Sequence, residues 1–255
     1  MNSMQTNLSK AAHQGRTLGL LSVACLAVGA GGAWLHILPP FWGFIVTILG
    51  VGIALAGVVT SLVGVHATRP HKNTHGRSHA LKGLALSLVT VGVVLFPATR
   101  VSNVPRINDI STDLDNPPIF VSQATLDANR SRDMTYPGSN FAQQQQQAYP
   151  DLASLVLEEE PGAAFDRVRA ALIGMDRLEI VDENREEGRL EAVQTSALFH
   201  FADDIAVRIR PFEGGSRVDV RSKSRDGRGD MGVNARRIRE IFARIRGEAT
   251  ATAGH

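Results

Sequence analysis

His200 is the histidine best placed for acid–base chemistry, because Asp203 and Asp204 follow it within four residues. A carboxylate that orients an imidazole can make it a general base, so a hydrolase-like activity is one hypothesis for these three residues. A lone histidine between Phe199 and Phe201 is more typical of a strand residue whose hydrogen bonds are satisfied, and this interpretation is favoured. Adjacent aspartates point to opposite faces of a strand, which argues against a metal ion shared by the pair.

His71, His75 and His79 recur every four residues, a spacing that places imidazoles on one face of a helix and can hold a transition metal. Pro70 and Gly76 interrupt such a helix. No carboxylate lies nearby in the sequence to orient the rings, as metal-bound histidines usually require. We therefore expect a solvated basic loop near anionic lipid headgroups. Metal or proton sensing is the alternative, and the sequence predicts no cofactor.

A third group of polar residues lies between Ser222 and Ile238, where a glycine-containing loop runs into an amphipathic helix. Free backbone N–H groups and the positive end of the helix dipole make such a junction a potential anion site. The residues predicted to bind an anion are Arg225, Arg228, Asp230, Gly232, Asn234 and Arg237. The favoured alternative is structural: Asp230 or Asn234 caps the helix, and Asp230 pairs with Arg225 or Arg237 to fix the loop.

The sequence carries no motif of a known catalytic machinery. It lacks a Gly-x-Ser-x-Gly elbow, a phosphate-cradling Walker loop, a His-Glu-x-x-His zinc motif and a dinucleotide fingerprint. Its one cysteine excludes a disulfide-stapled scaffold and any site built from several cysteines. A non-enzymatic protein is therefore the favoured interpretation.

The elements that must position these residues fall into two halves of opposite charge. Eight basic residues and no acid precede Asp109, whereas 19 basic and 25 acidic residues follow from there. Thr17–Val65 contains no Asp, Glu, Lys or Arg, and it is long enough for two membrane-spanning helices of about 20 residues each. Pro39 and Pro40 divide this run. We predict three transmembrane helices, at about residues 17–38, 41–65 and 81–99, within a membrane region 1–100.

The second predicted span carries Gly43, Gly50, Gly57 and Gly64 at seven-residue intervals. Glycines on one helix face allow neighbouring backbones to approach closely, so this stripe predicts a helix-packing seam. No charged residue lies in the interior of a predicted span, which removes support for a transporter or channel.

Basic residues in the loops predict the orientation in the membrane. Lys10 and Arg16 lie before the first span, and the second loop carries Arg69, Lys72, Arg77 and Lys82. The first hairpin contains no lysine or arginine. The positive-inside rule then places the N-terminus and the second loop in the cytoplasm. Three spans leave the remainder on the far side. We therefore predict a multi-pass inner (plasma) membrane protein with a periplasmic C-terminal domain that binds no nucleic acid.

The C-terminal half changes character at about residue 150. Residues 101–150 are rich in Pro, Asn, Ser and Gln and are predicted to be an irregular tether and lead-in segment, with the glutamine run Gln143–Gln147 in a loop. Residues 151–247 show the periodicity of a helix, four strands and a helix. We predict an α+β domain in which an antiparallel sheet of about four strands is packed by two helices. The last two strands are predicted to expose Arg208, Arg210, Arg217, Arg221 and Lys223 on a solvated face. Contact of this face with an anionic lipid or polymer is the alternative.

Several motifs resemble one known family. The stretch Ser222-Lys-Ser224-Arg225 followed by Asp230-Met-Gly232-Val-Asn234 and the helix from Arg236 resembles the closing signature of the domain of unknown function 1499 family. Ile110-Ser-Thr-Asp113, Asp115-Asn-Pro-Pro118, Tyr149-Pro-Asp-Leu152 and Phe201-Ala-Asp-Asp-Ile205 are similar to other parts of that family. The resemblance covers roughly residues 107–246. It implies a small envelope or membrane-associated domain, and it implies no established activity, catalytic residue or cofactor.

The leading functional hypothesis is a non-enzymatic inner-membrane protein, anchored in the lipid bilayer. Its exported domain is expected to bind an envelope protein or an anionic envelope component. An envelope hydrolase that uses His200 with Asp203 or Asp204 is the enzymatic alternative. Metal or proton sensing by the cytoplasmic loop of His71, His75 and His79 is the third hypothesis.

Overall fold

The computed structural model describes residues 7–70, 72, 74–98 and 104–248. The chain divides into two compact units, Met1–Ser102 with Ala197–His200, and Asn103–Ser196 with Phe201–His255. His71 of the predicted metal loop, and the junction at 99–103 between the third predicted span and the tether, lie outside the described residues.

The first unit contains three helices that are long and apolar enough to cross a membrane, Lys10–Trp34, Pro40–Ala67 and Arg77–Phe96. The first comprises α1 (Lys10–Leu26), a π-helical turn (Ala27–Gly31) and α2 (Gly32–Trp34); the others are α3 (Pro40–Ala67) and α4 (Arg77–Ala98). Two short parallel strands, β1 (Asn7–Leu8) and β2 (Thr74–His75), also belong to this unit. Three apolar N-terminal helices are thus confirmed.

The first and third helices begin earlier in the sequence than predicted. α1 begins after Ser9, whose hydroxyl oxygen accepts a hydrogen bond from the N–H of Ala12, so the helix includes Lys10. α4 begins at Arg77. Long basic side chains at helix ends can extend towards the headgroup region while their stems stay apolar, which allows a helix to continue beyond its uncharged stretch.

The glycine seam of α3 is confirmed. Gly43, Gly50, Gly57 and Gly64 are all buried, and the ideal Cβ position of Gly50 lies 2.8 Å from the Cβ of Cys25. The corresponding position of Gly64 lies 2.8 Å from the backbone of Ala12. A side chain at either glycine would force α1 and α3 apart, so the packing of these two helices requires residues without a Cβ at both positions.

The second unit is an α+β fold, as predicted. Its helices are α5 (Gln123–Ala128), α6 (Ser139–Ala148), α7 (Pro161–Ile173) and α8 (Val233–Arg246). Its strands are β3 (Asp109–Ser111), β4 (Leu155–Leu157), β5 (Leu178–Asn184), β6 (Arg189–Thr195), β7 (Ala202–Phe212) and β8 (Gly215–Ser224). The strands form one antiparallel sheet in the order β3-β8-β7-β6-β5, with β4 also beside β8.

The two amphipathic helices α7 and α8 pack on one face of this sheet. Phe165, Val168 and Leu172 of α7 and Ile238, Ile241, Phe242 and Ile245 of α8 are buried in the same core as Leu190, Ile205, Val207, Val218 and Val220 of the sheet. A helix with a wide apolar stripe cannot be stable in water alone, and the sheet supplies the surface that covers it.

The lead-in segment differs from its prediction as an irregular tether. From residue 104 it belongs to the second unit and contributes β3, α5 and α6. The glutamine run lies in α6, not in a loop, because Gly138 begins a helix there and glutamine favours helix in its interior. Gln145 is buried; its amide donates to Ser111 O at 2.6 Å and accepts from Ser111 N at 2.9 Å. The domain therefore begins well before residue 151.

Candidate functional site

The signature segment joins the end of β8 to the first turn of α8 through buried polar side chains. The hydroxyl of Ser222 donates to Asn234 Oδ1 at 2.7 Å, and Asn234 Nδ2 donates to Ser224 Oγ at 3.0 Å. All three side chains are buried. The alternation of β8 directs Ser222 and Ser224 to the same face, where α8 covers them. The Ser-x-Ser spacing and Asn234 thus have a shared structural role.

Arg237 extends this network to two further strands. Its guanidinium donates to Ser222 Oγ at 2.9 Å, to Asn234 Oδ1 at 2.6 Å and to Asp203 Oδ2 at 2.5 Å, and it also bonds to the amide oxygen of Gln194. Asp203 lies on β7 and Gln194 on β6. A planar guanidinium with five N–H donors suits several acceptors in one plane. Arg237 therefore fixes α8 against three strands.

Arg225 is bound by the other aspartate of the pair. It donates to both oxygens of Asp204, at 2.7 Å and 3.0 Å, and Asn129 donates to the same carboxylate at 2.9 Å. The hydrogen bond to Asp204 raises the pKa of Arg225 above its ordinary value. The predicted pairing of Asp230 with Arg225 or Arg237 is not what the structure has, since these arginines bond to Asp204 and Asp203.

Asp230 occupies the backbone anion site itself. Its carboxylate accepts hydrogen bonds from Gly232 N at 2.9 Å and from Asn234 N at 2.7 Å, at the first turn of α8. Gly232 has φ of 75°, which glycine adopts without steric cost. The structure therefore brings together four of the six predicted anion-binding residues, Asp230, Gly232, Asn234 and Arg237, with their polar groups bonded within the protein, and it pairs a fifth, Arg225, with Asp204 instead. The sixth, Arg228, is exposed.

Asp203 and Asp204, the aspartates of the hypothetical catalytic arrangement with His200, lie on β7. Both carboxylates already accept hydrogen bonds from arginines. A carboxylate engaged in this way is not available to orient an imidazole as a general base. Among the described residues, no three His, Cys, Asp or Glu side chains are grouped so that they could hold a metal ion.

Arg221 connects the lead-in segment to the sheet, a role that the sequence did not indicate. It is 1% exposed and donates to both oxygens of Asp109, at 2.8 Å and 2.7 Å. It also donates to the carbonyls of Pro118 and Met134. The predicted solvated face of β7 and β8 is therefore wrong at this position. The reason is that residues 104–150 fold over that face and bring acidic groups to it.

Three of the four remaining basic residues of that face are paired in the same way. Arg208 and Arg217 both donate to Asp113, at 2.9 Å and 2.7 Å, and to Asp219. Burial alone raises the pKa of Asp219, but hydrogen bonds from Ser154, Arg208 and Arg217 outweigh burial and hold the pKa below its ordinary value. Lys223 donates to Asp109 at 3.0 Å. Arg210 is exposed, as predicted.

Glu191 is a second structural residue that sequence reasoning missed. Its side chain, on β6, is fully buried and accepts hydrogen bonds from Val121 N at 2.7 Å, Ser122 N at 2.9 Å and Ser122 Oγ at 2.7 Å. A single acid within the apolar stretch Leu190–Val193 is the signal that could have identified it, because buried carboxylates require several donors.

A groove of about 930 Å³ lies in the second unit, beside these ion pairs. Its lining includes Asp115, Tyr136, Ser139, Gln143, Gln146 and Arg217. The hydroxyl of Tyr136 is buried there with no hydrogen-bond partner among the described residues. Burial raises the pKa of Tyr136 to about 12, with a contribution from Asp109. Because the carboxylate of Asp113 is neutralised by two arginines, Asp115 is the remaining acid of the lining.

Comparison with known proteins agrees with the motifs of the C-terminal half. A family model described as "Protein of unknown function (DUF1499)" matches residues 109–245, which include the whole network of Asp203, Ser222, Asn234 and Arg237. No curated protein and no solved structure gives a significant match. The match covers more than half of the chain's 255 residues. The chain therefore belongs to the DUF1499 family.

Proposed function

We propose that the chain is a non-catalytic, multi-pass protein of the bacterial inner membrane, whose α+β unit lies in the periplasm and binds a saccharide component of the envelope. The groove lined by Tyr136, Ser139, Gln143 and Gln146 is the observation that carries this proposal. In this groove the exposed side chains of Ser139, Gln143 and Gln146 face open space instead of one another.

The distribution of basic residues supports an N-terminus in the cytoplasm. The described second loop and the adjoining helix ends carry Arg69, Lys72, Arg77 and Lys82, whereas the hairpin between α2 and α3 has no lysine or arginine. Cytoplasmic loops are enriched in these residues. With three spans, an N-terminus in the cytoplasm puts the α+β unit on the opposite side of the membrane.

The hydrogen bonds of the buried ionisable groups support a non-catalytic role. Asp203, Asp204 and Asp230 are engaged by Arg237, Arg225 and the start of α8 respectively. A general base or nucleophile needs an accessible side chain and a pKa suited to its task. Groups that neutralise each other in the interior support a binding scaffold more than an active site.

The side chains that line the groove favour a saccharide as the ligand. Gln143, Gln146 and Ser139 are exposed and supply amide and hydroxyl groups, which can both donate and accept hydrogen bonds. Saccharides present many hydroxyl groups of the same dual character. Because Arg217 is already paired with Asp113 and Asp219, the lining offers little free positive charge to attract an anionic ligand.

The binding experiment uses full-length protein in detergent micelles and purified peptidoglycan sacculi as the probe. Co-sedimentation is expected for the wild type and should fall about tenfold or more for the double variant Gln143→Ala/Gln146→Ala, since each lost hydrogen bond contributes roughly 1 kcal/mol. Gln144→Ala/Gln147→Ala, on the same helix but outside the groove lining, is the matched control. Equal sedimentation of the two double variants, or none by the wild type, contradicts the proposed ligand.

Orientation is tested separately with reporter fusions at the C-terminus. Alkaline phosphatase, which is active only after export, should be active, and green fluorescent protein should be dark if it is exported unfolded through the general secretory route. The opposite pattern would place the α+β unit in the cytoplasm and remove envelope saccharides as ligands.

A further inference from the structure

One loop of the α+β unit combines exposed arginines with exposed apolar side chains. We define the basic–apolar patch as Arg106, Arg228, Met231, Val233 and Arg236. Its members lie together because the loop before α8 runs over the start of the unit: Asp230 N donates to Ile107 O at 3.3 Å, and the ideal Cβ position of Gly229 is 3.3 Å from Arg106 Cα. Arg236 Nη1 donates to Met231 O at 3.1 Å.

The apolar part of the patch is unusually open to solvent. Met231 is 58% exposed and Val233 is 37% exposed. Met231 has φ of 53°, a left-handed conformation that a residue with a side chain adopts only at an energetic cost. The fold therefore holds a large apolar side chain outwards in a strained conformation, which is a recurring property of functional sites.

The charge of the patch is not explained by the stability of the fold. The nearby carboxylates are engaged elsewhere, Asp230 with the backbone of α8 and Asp226 with Arg132. Arg236 lies in the first turn of α8, where a cation opposes the helix dipole, and no acidic residue lies in that turn. Three exposed guanidinium groups thus face solvent beside two apolar side chains.

The covalent chain limits how far this patch can be from a membrane. Ala98 is the last residue of α4 and Val104 is the first described residue of the second unit. A fully extended chain covers at most about 3.6 Å per residue, so Val104 is within roughly 22 Å of Ala98 at the end of α4. The ideal Cβ position of Gly232, in the loop of the patch, lies 3.6 Å from Val104 Cγ1.

We propose that the basic–apolar patch docks on the membrane surface, with Arg106, Arg228 and Arg236 bound to anionic phospholipid headgroups and Met231 and Val233 inserted among them. Arginine binds phosphate oxygens through two parallel N–H donors. Apolar side chains beside basic ones are typical of segments that lie at the membrane interface. The docking holds for either orientation of the chain and does not depend on the ligand of the groove.

Docking is measured with full-length protein in nanodiscs. In a Cys25→Ala background, Met231→Cys carries an environment-sensitive fluorophore, and the nanodiscs contain phosphatidylcholine alone or with an equal share of phosphatidylglycerol. We expect a blue-shifted emission that is shielded from iodide in the anionic nanodiscs, and its reversal in concentrated salt, which screens exposed charges. Glu186→Cys, on the exposed turn between β5 and β6 at the opposite end of the sheet, is the control label and should not shift.

The arginines are tested with Arg106→Gln/Arg228→Gln/Arg236→Gln. Each basic residue near an anionic surface changes the docked-to-undocked ratio by about fivefold, so the triple variant should lower it by about 100-fold. Arg130→Gln/Arg169→Gln/Arg210→Gln, three exposed arginines elsewhere in the unit, should leave the ratio unchanged. Identical emission from the two labels, or a blue shift that the first triple variant and salt both fail to reduce, overturns the proposal.

Discussion

The guanidinium of Arg237 on α8 and the carboxylate of Asp203 on β7 form a buried ion pair, with a hydrogen bond of 2.5 Å. Burying two charges costs more solvation energy than their attraction returns unless further hydrogen bonds satisfy them. Here Ser222, Asn234 and Gln194 supply those bonds to the arginine. The pair therefore holds the helix in one register on the sheet, which apolar contacts alone specify less sharply.

Replacing Arg237 with alanine should destabilise the α+β unit strongly. Removing one partner leaves the carboxylate of Asp203 buried and unpaired, which typically costs about 3–5 kcal/mol. Pulse proteolysis of the full-length protein in detergent, over a series of urea concentrations, measures the unfolding of this unit. A decrease of the midpoint is the expected result.

Arg239→Ala is the matched control for Arg237→Ala. Arg239 also pairs with an aspartate, Asp151, but its side chain is 41% exposed, and exposed pairs contribute about 0–1 kcal/mol. If both variants unfold at similar urea concentrations, the buried network does not stabilise the helix as we infer.

The sequence was sufficient for elements that bury long apolar stretches. The three membrane helices each carry a long uncharged run, and α7, α8 and the β7–β8 hairpin each carry a periodic apolar pattern, so their existence could be inferred from one segment at a time. The family signature was also visible, because Ser222, Ser224 and Asn234 are close in sequence. The chemical role of the signature was less clear from the sequence. The backbone N–H groups at the start of a helix can bind either an external anion or a carboxylate of the protein itself.

Pairings between distant residues could not be predicted. Asp109 and Arg221 are 112 positions apart, and no local pattern identifies which arginine a given aspartate meets. The lead-in segment has short elements of mixed composition. It folds because Arg221 and Glu191 of the sheet bind its backbone and side chains, and because Gln145 of α6 binds the backbone of β3. Such contacts exist only after the sheet has formed, so composition alone indicated a tether.

Removing the carboxylate of Asp230 should create an anion-dependent protein. Asp230→Ala leaves the N–H groups of Gly232 and Asn234 without their acceptor, and loss of a helix cap costs about 0.5–2 kcal/mol. Phosphate should then bind the vacated helix terminus and restore part of the lost stability. Urea midpoints with phosphate and with chloride at equal ionic strength provide the measurement.

Asp226→Ala serves as the comparison for Asp230→Ala, because Asp226 lies in the same loop but pairs with Arg132 at the surface. Its midpoint should be nearly that of the wild type and should not respond to phosphate. A phosphate effect of equal size in the wild type would mean that Asp230 does not occupy the anion site.

Gln145 should prove essential for holding the lead-in segment on the sheet. Gln145→Leu removes two buried hydrogen bonds to Ser111. The backbone N–H and carbonyl of Ser111 are then unsatisfied, at a cost of about 1–3 kcal/mol each. Hydrogen exchange of residues 109–150 should accelerate relative to that of α7. Gln144→Leu, on the exposed side of α6, should leave the hydrogen exchange of residues 109–150 and of α7 unchanged. Equal protection of residues 109–150 in the two variants contradicts the role assigned to Gln145.

Acid should weaken the unit partly through Asp219. Its pKa is lower in the folded protein than its ordinary value, so its contribution is complete above the unfolded-state pKa of about 3.9 and is lost as the pH falls through the folded-state pKa. The free energy of unfolding should therefore decrease with falling pH in that acidic window. Asp219→Asn should be less stable at neutral pH and should show a shallower slope there.

The control for the acid series is Glu186→Gln, which removes one carboxylate from an exposed turn. Unfolding free energies come from urea titrations of full-length protein at a series of acidic pH values. A slope for Asp219→Asn as steep as that of the wild type would assign the acid sensitivity to other carboxylates.

Tyr136→Phe tests separately whether the tyrosine hydroxyl contributes to the stability of the α+β unit and to ligand binding in the groove. The hydroxyl of Tyr136 is buried without a partner among the described residues, and a buried polar group without a hydrogen bond costs roughly 1–3 kcal/mol. Phenylalanine keeps the ring that packs over the guanidinium of Arg221, so the variant should be as stable as the wild type or more stable. Binding to peptidoglycan sacculi should be unchanged, because the buried hydroxyl has no accessible surface through which a ligand in the groove could reach it. A variant that unfolds earlier would instead show that the hydroxyl has a partner within the protein, and weakened binding would show that the ligand does reach it.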